Sequence, residues 1–179
     1  MKPADIRDAK IALAFQALNV SGSGRMSSAD LEAYSKETAQ RLRCDADRER
    51  ELSESMQALW RYLEDNSKGP VGVAEFTNAI RTGLDAGNEF YDRVVTRIVD
   101  ALVHAADRNG DGIISKEDYL AFYAATTTDE AAVMEGYRKL DLNADGAVTV
   151  DEFRKVVRQF YSFEGLDAAG SFLLGKPVI

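Results

Sequence analysis

The feature that most constrains this chain is a pair of twelve-residue segments in which oxygen-bearing side chains alternate along the backbone. The first is Asp107-Arg108-Asn109-Gly110-Asp111-Gly112-Ile113-Ile114-Ser115-Lys116-Glu117-Asp118. The second is Asp141-Leu142-Asn143-Ala144-Asp145-Gly146-Ala147-Val148-Thr149-Val150-Asp151-Glu152. Both carry Asp, Asn and Asp at positions one, three and five, Gly at six and a carboxylate at twelve. Alternating side chains converge on one point only if the backbone coils tightly. Gly112 and Gly146 permit that, because a residue without Cβ takes positive φ freely.

Oxygen donors without imidazole or thiolate suit a hard cation, and calcium takes about 6–8 oxygens at roughly 2.3–2.6 Å. The expected ligands of the first segment are Asp107, Asn109, Asp111, the Ile113 carbonyl, Ser115 (through a water) and Asp118. Those of the second are Asp141, Asn143, Asp145, the Ala147 carbonyl, Thr149 and Glu152. Only a backbone oxygen is needed at position seven, so residue type there is free. Each segment has three carboxylates at ligand positions, and both are expected to bind calcium. Asp118 is one methylene shorter than Glu152, so loop 107–118 is expected to discriminate less against magnesium, which prefers shorter octahedral contacts.

Two weaker copies lie upstream. Segment 19–30 offers Asn19, Ser21, Ser23, the Arg25 carbonyl, Ser27 and Asp30, with one formal charge, and is a weak candidate metal site. Segment 64–75 has Glu64 first, Lys68 fifth and Pro70 seventh, and an ammonium at the fifth position argues against calcium. Position eight is apolar in all four (Met26, Val71, Ile114, Val148), which predicts short β-bridges between paired segments. Aromatic or apolar residues recur four positions before each segment (Phe15, Trp60, Val103, Tyr137) and just after it (Leu31, Phe76, Tyr119, Phe153).

These motifs identify the chain as resembling the EF-hand family. The uneven spacing, two degenerate early loops and an apolar tail resemble the sarcoplasmic calcium-binding protein and calerythrin group within it. The resemblance implies an all-α fold: four helix-loop-helix units in two paired lobes, packed into one compact globule with short β-bridges. The expected organisation is an N-terminal pair over residues 1–84, a C-terminal pair over 88–163, and a tail over 164–179 packed on the core.

The flanks support helices. Leu52, Met56, Leu59, Trp60 and Leu63 form one stripe; Phe90, Val94, Ile98 and Leu102, with Tyr91, Val95 and Val99, form another. Val133, Met134, Tyr137 and Leu140 form a third, and Phe153, Val156, Val157 and Phe160 a fourth. Residues 36–51 carry five bases and five acids and read as a solvated helix surface. Gly83–Asn88 reads as the break between halves, with Asn88 as an N-cap. Thr127 with Glu130 reads as a capping box.

Composition narrows the function. The chain has 22 Lys and Arg against 30 Asp and Glu, a net −8. That charge disfavours nucleic acid and anionic membranes as partners. One cysteine, Cys44, cannot form an internal disulfide or a Cys-rich zinc site, and one histidine, His104, leaves little material for a His-based metal site or a His-dependent triad. No signal-like or membrane-spanning run is present in the 179 residues. His104 reads as a partly exposed helix histidine and Cys44 as an unremarkable thiol. The expectation is a cytoplasmic, monomeric calcium-binding protein without enzymatic activity. A Ca²⁺/Mg²⁺ buffer fits best, because only four methionines occur and sensor grooves are rich in them. A sensor or adaptor that exposes a protein-binding surface is the alternative.

Overall fold

The computed structural model describes residues 3–67, 70–123 and 130–161. Along these the chain forms α1 (Pro3–Leu18), α2 (Ser28–Arg41), α3 (Ala46–Asn66), α4 (Val73–Asp85), α5 (Asn88–Phe90), a π-helical turn (Tyr91–Val95) and α6 (Thr96–Ala106). Then follow β1 (Ile113–Ile114), α7 (Lys116–Tyr123), α8 (Glu130–Leu140), β2 (Val148–Thr149) and α9 (Val150–Tyr161). The expected helical class with minimal strand is what forms. The tail 164–179 and Thr127 of the expected capping box lie outside the described residues.

The chain divides into two units, Ile11–Ala105 and Met1–Lys10 with Ala106–Ile179. The division falls inside α6.

In the 11–105 unit, α3 buries Leu52, Met56, Leu59 and Leu63 against neighbours that include Leu31 and Phe76. Phe15 meets Phe76 edge-on at 5.6 Å, the favoured aromatic geometry. Met26 and Val71 form the expected bridge, with Met26 N–H donating to the Val71 carbonyl at 2.8 Å. Three sequence readings need correction in this unit. Residues 36–51 are not one helix: α2 stops at Arg41, Arg43 turns left-handed at φ 54, and α3 begins at Ala46. There Arg43 N–H donates to the Gln40 carbonyl and Cys44 N–H to the Ala39 carbonyl. This is the usual left-handed helix stop, with arginine where glycine would announce it.

Gly83 is no break. It lies within α4, where an added Cβ would come 2.7 Å from the Phe90 ring and also meet the Tyr62 hydroxyl. The chain turns instead at Gly87, φ 118, and Asn88 is itself the first helical residue. Finally, Ile98 and Leu102 are half-buried while Val94, Val95, Val99 and Val103 are buried. The π turn inserts a residue into the helical phase, so a stripe spaced on α-helical period drifts off the core.

In the unit that contains residues 106–161, α9 buries Phe153, Val156, Val157 and Phe160 on one face as its spacing requires. Full burial of such side chains is worth roughly 1.5–3 kcal/mol each. Tyr119, Tyr123, Val133, Tyr137 and Leu140 complete this core. The buried Lys10 ammonium stands 5.9 Å above the Phe160 ring, which offsets part of its desolvation.

Candidate metal centre

Each loop begins where its entering helix runs out of apolar side chains. α6 ends at Ala106 and α8 at Leu140, one residue before Asp107 and Asp141. The two loops are joined by β1 and β2, antiparallel, with Ile114 opposite Val148 and Ile113 opposite Thr149. This is the register expected from the apolar eighth positions. A side chain assists it. The Tyr137 hydroxyl donates to the Ile114 carbonyl at 3.0 Å and accepts from Val148 N–H at 3.2 Å. Tyr137 had been legible only as a core residue, because an aromatic position in a stripe says nothing about where its hydroxyl ends.

In loop 141–152 the carboxylates fold back on the loop's own N–H groups. Asp141 accepts from Asp145 N–H at 3.1 Å and Gly146 N–H at 2.8 Å. Asp145 accepts from Ala147 N–H at 3.0 Å and from the Asn143 amide at 2.9 Å. Glu152, 6% exposed, crosses the loop. Its Oε1 accepts from Leu142 and Asn143 N–H, and its Oε2 from Thr149 N–H and hydroxyl. Burial alone would raise the Glu152 carboxyl, but these hydrogen bonds outweigh it and hold it below the ordinary value. Gly146 takes φ 91, as its sixth position demands; Ala144 is also left-handed at φ 59, where loop 107–118 has Gly110.

Loop 107–118 repeats most of this. Asp107 accepts from Gly110, Asp111 and Gly112 N–H at 2.8, 3.1 and 2.9 Å. Asp111 accepts from Ile113 N–H and from the Asn109 amide. Asp118 differs from Glu152. Its Oδ2 accepts from the Ser115 hydroxyl at 2.8 Å, and its Oδ1 pairs with the Arg108 guanidinium at 2.9 Å. Arg108 carried no signal in the sequence reading, since position two is not a ligand position.

Loop 19–30 is closed on itself. Asp30, 4% exposed, accepts from Ser21 N–H at 3.0 Å and from Ser27 N–H and hydroxyl at 2.9 and 2.7 Å. Burial opposes ionisation, yet these hydrogen bonds bring its pKa down to about 2. The Ser21 hydroxyl lies 3.2 Å from Asn19 Oδ1 and 3.0 Å from Ser23 Oγ, which donates to the Arg25 carbonyl at 2.7 Å. The candidate oxygens therefore satisfy one another.

Loop 64–75 starts differently. Glu64, Asp65 and Asn66 remain helical in α3, and the Asn66 amide donates back to the Tyr62 carbonyl. Glu75 accepts from Gly72 N–H at 3.1 Å at the start of α4. Lys68 and Gly69 lie outside the described residues. His104 is half-exposed, with Nδ1 2.7 Å from Glu51 Oε2, and its carbonyl accepts from Arg48 Nε at 2.9 Å. Cys44, the single cysteine, forms no internal disulfide and is half-buried.

Among the described residues, no three carboxylate, imidazole or thiol groups are already gathered as a cage. The donor chemistry fits a hard cation, because the ligand positions of loops 107–118 and 141–152 supply only oxygen, three of them carboxylates in each loop.

Comparison with known proteins agrees with this geometry. An EF-hand model matches residues 138–157 and an EF-hand domain pair model matches 96–126. Calerythrin of Saccharopolyspora erythraea is 24% identical over 82% of this chain and 87% of its own length. Human reticulocalbin-3 is 27% identical over 80% of this chain, which spans only 43% of that protein. Among solved structures, n-aequorin superimposes with a TM-score of 0.76 at 17% identity, over 96% of this chain and 92% of its own. The coelenterazine-binding protein of Renilla muelleri, in its calcium-loaded apo form, gives 0.67 at 22% identity, over 96% of each chain. The identities of these structures carry the fold alone. Residues 96–126 and 138–157, which contain the two loops just described, match EF-hand models, and calerythrin is among the proteins this chain resembles.

Proposed function

We propose that this protein is a cytoplasmic Ca²⁺/Mg²⁺ buffer that binds two calcium ions, one in loop 107–118 and one in loop 141–152. The observation that carries the reading is the β1–β2 pairing of two loops whose ligand positions are all oxygen, three of them carboxylates in each. Asp107, Asn109, Asp111, the Ile113 carbonyl, Ser115 and Asp118 would hold one ion. Asp141, Asn143, Asp145, the Ala147 carbonyl, Thr149 and Glu152 would hold the other. A carboxylate has lone pairs beyond those its N–H partners use, so the loop hydrogen bonds hold these ligands in place for an ion. Loop 19–30 is assigned no tight site, because its oxygens are mutually hydrogen-bonded. The carboxylates are assigned to metal and none to catalysis.

Buffering is favoured over sensing by the methionines. Met26 and Met56 are 3% and 1% exposed, so they supply no soft surface groove. The sensor reading draws on one feature, a cavity of about 350 Å³ in the 11–105 unit lined by Leu31, Met56 and Trp60 with Glu32 and Arg61. Calorimetric titration of metal-stripped protein, with and without millimolar magnesium, separates the two. Two sites with dissociation constants near 10⁻⁹–10⁻⁸ M, weakened by magnesium, are expected for a buffer; values of about 10⁻⁷–10⁻⁵ M indifferent to magnesium would overturn it. Asp118→Glu is expected to reduce magnesium competition at one site. Unchanged competition would remove Asp118 as its cause.

A further inference from the structure

Arg108 occupies position two of loop 107–118, where loop 141–152 has Leu142. Its guanidinium lies 2.9 Å from Asp118 Oδ1, with Asp118 only 14% exposed and Arg108 45% exposed. In the other two loops that begin directly after a helix, the twelfth-position carboxylate crosses to backbone N–H groups at the loop's start. Glu152 reaches Leu142 and Asn143, and Asp30 reaches Ser21. The short side chain of Asp118 is not the reason for its difference, since Asp30 is the same residue and makes the crossing. The difference is the arginine.

We propose that Arg108 is a resident counter-cation for Asp118, and that loading of loop 107–118 is an exchange of guanidinium for metal. This deepens the assignment of loop 107–118 as a calcium site and rests on it. A divalent ion on Asp118 and a guanidinium 2.9 Å from the same carboxylate repel each other, so each weakens the other's hold. The ion therefore binds against an internal competitor that loop 141–152 lacks. Loop 141–152 fills first as calcium rises and loop 107–118 second. In the metal-free protein the pair also neutralises one of the three clustered carboxylates, which limits repulsion there.

The test uses the full chain, stripped of metal. Arg108→Gln should tighten the weaker calcium site about three- to fivefold, the range set by a partly exposed ion pair, and leave the tighter site unchanged. Removing any nearby positive charge strengthens cation binding somewhat, so the control is Arg138→Gln. Arg138 is an exposed residue paired with Glu135, three positions before Asp141. A double-mutant cycle between Arg108→Gln and Asp118→Asn, read by thermal melting, should show coupling in metal-free protein that disappears at saturating calcium. The proposal is overturned if Arg108→Gln shifts the weaker site no more than Arg138→Gln shifts its neighbour, or if the coupling persists in the loaded protein. If Asp118→Asn binds as many calcium ions, as tightly, as the unaltered chain, the loop is not a site, and that assignment fails first.

Discussion

Loops 19–30 and 141–152 are tied across by the same kind of bond and enclose different chemistry. In each, a buried carboxylate at the twelfth position accepts N–H groups from the third and ninth positions, Ser21 and Ser27 in one, Asn143 and Thr149 in the other. In loop 141–152 the enclosed groups are two further carboxylates and the Asn143 amide; the amide donates to Asp145, but the two carboxylates repel and have no hydrogen bond to make with each other. In loop 19–30 they are hydroxyls and an amide, which donate and accept among themselves. A loop can thus keep the hand's scaffold while its interior no longer calls for a cation. The crossing carboxylate belongs to the scaffold, and the charge at positions one, three and five belongs to the metal.

That contrast can be broken at its strongest point first. Glu152→Gln removes charge from the closing ligand, and calcium affinity in loop 141–152 should fall more than about 100-fold, beyond the usual cost of losing an outer hydrogen-bond partner. Calorimetry would show one fewer ion; retention of both would refute the assignment.

The converse change should build a site. Ser21→Asp with Ser23→Asp replaces self-satisfied hydroxyls by carboxylates, and a third calcium is expected in the titration, with lower metal-free stability from like-charge repulsion. No third ion would mean that charge is not what the loop lacks.

The scaffold role of Asp30 has a pH signature. Its folded pKa of about 2 lies below the ordinary aspartate value of 3.8, so it stabilises the fold above that unfolded value. That contribution is lost as pH falls through the folded value. Asp30→Asn should cost on the order of 2 kcal/mol at neutral pH, shrinking toward zero near pH 2. Melting curves from pH 7 to 2 test this, and a pH-independent difference would contradict it.

Tyr137→Phe would leave the Ile114 carbonyl and Val148 N–H without their bridging hydroxyl, and should cost about 1–2 kcal/mol. Loss of cooperativity between the two ions would show that the bridge also links their binding. The smallest effect concerns Ala144, left-handed where its paired loop has Gly110. Ala144→Gly should stabilise the metal-free protein by at most about 1 kcal/mol.

Much of the site was legible because calcium loops are local. Spacing within twelve residues placed Asp107 through Asp118 and Asp141 through Glu152, and the apolar eighth positions foretold both bridges, Met26 with Val71 and Ile114 with Val148. Helix ends were less legible where an unusual residue did a glycine's work. Arg43 stops α2 without any breaker, and Gly83 looked like a breaker while serving as a packing gap beside Phe90. The π turn at Tyr91–Val95 moved Ile98 and Leu102 off the core face, a phase shift that periodic reading cannot register.

By itself, then, the sequence determined the position of loops 19–30, 107–118 and 141–152, the order of their oxygen-bearing residues and the apolar partners at position eight, since all of these depend on spacing along a short stretch of chain; it misplaced the start of loop 64–75, whose first three residues stay in α3. Tertiary structure alone decided what each polar side chain does once the loop closes. Tyr137 reaches the strand pair, Arg108 takes the oxygen that a crossing carboxylate would give to N–H groups, and the serines of loop 19–30 bond to one another. Hydrogen bonds need close approach and good alignment, and an ion pair needs its charges brought within about 4 Å, so their partners are chosen by folded geometry and not by residue order.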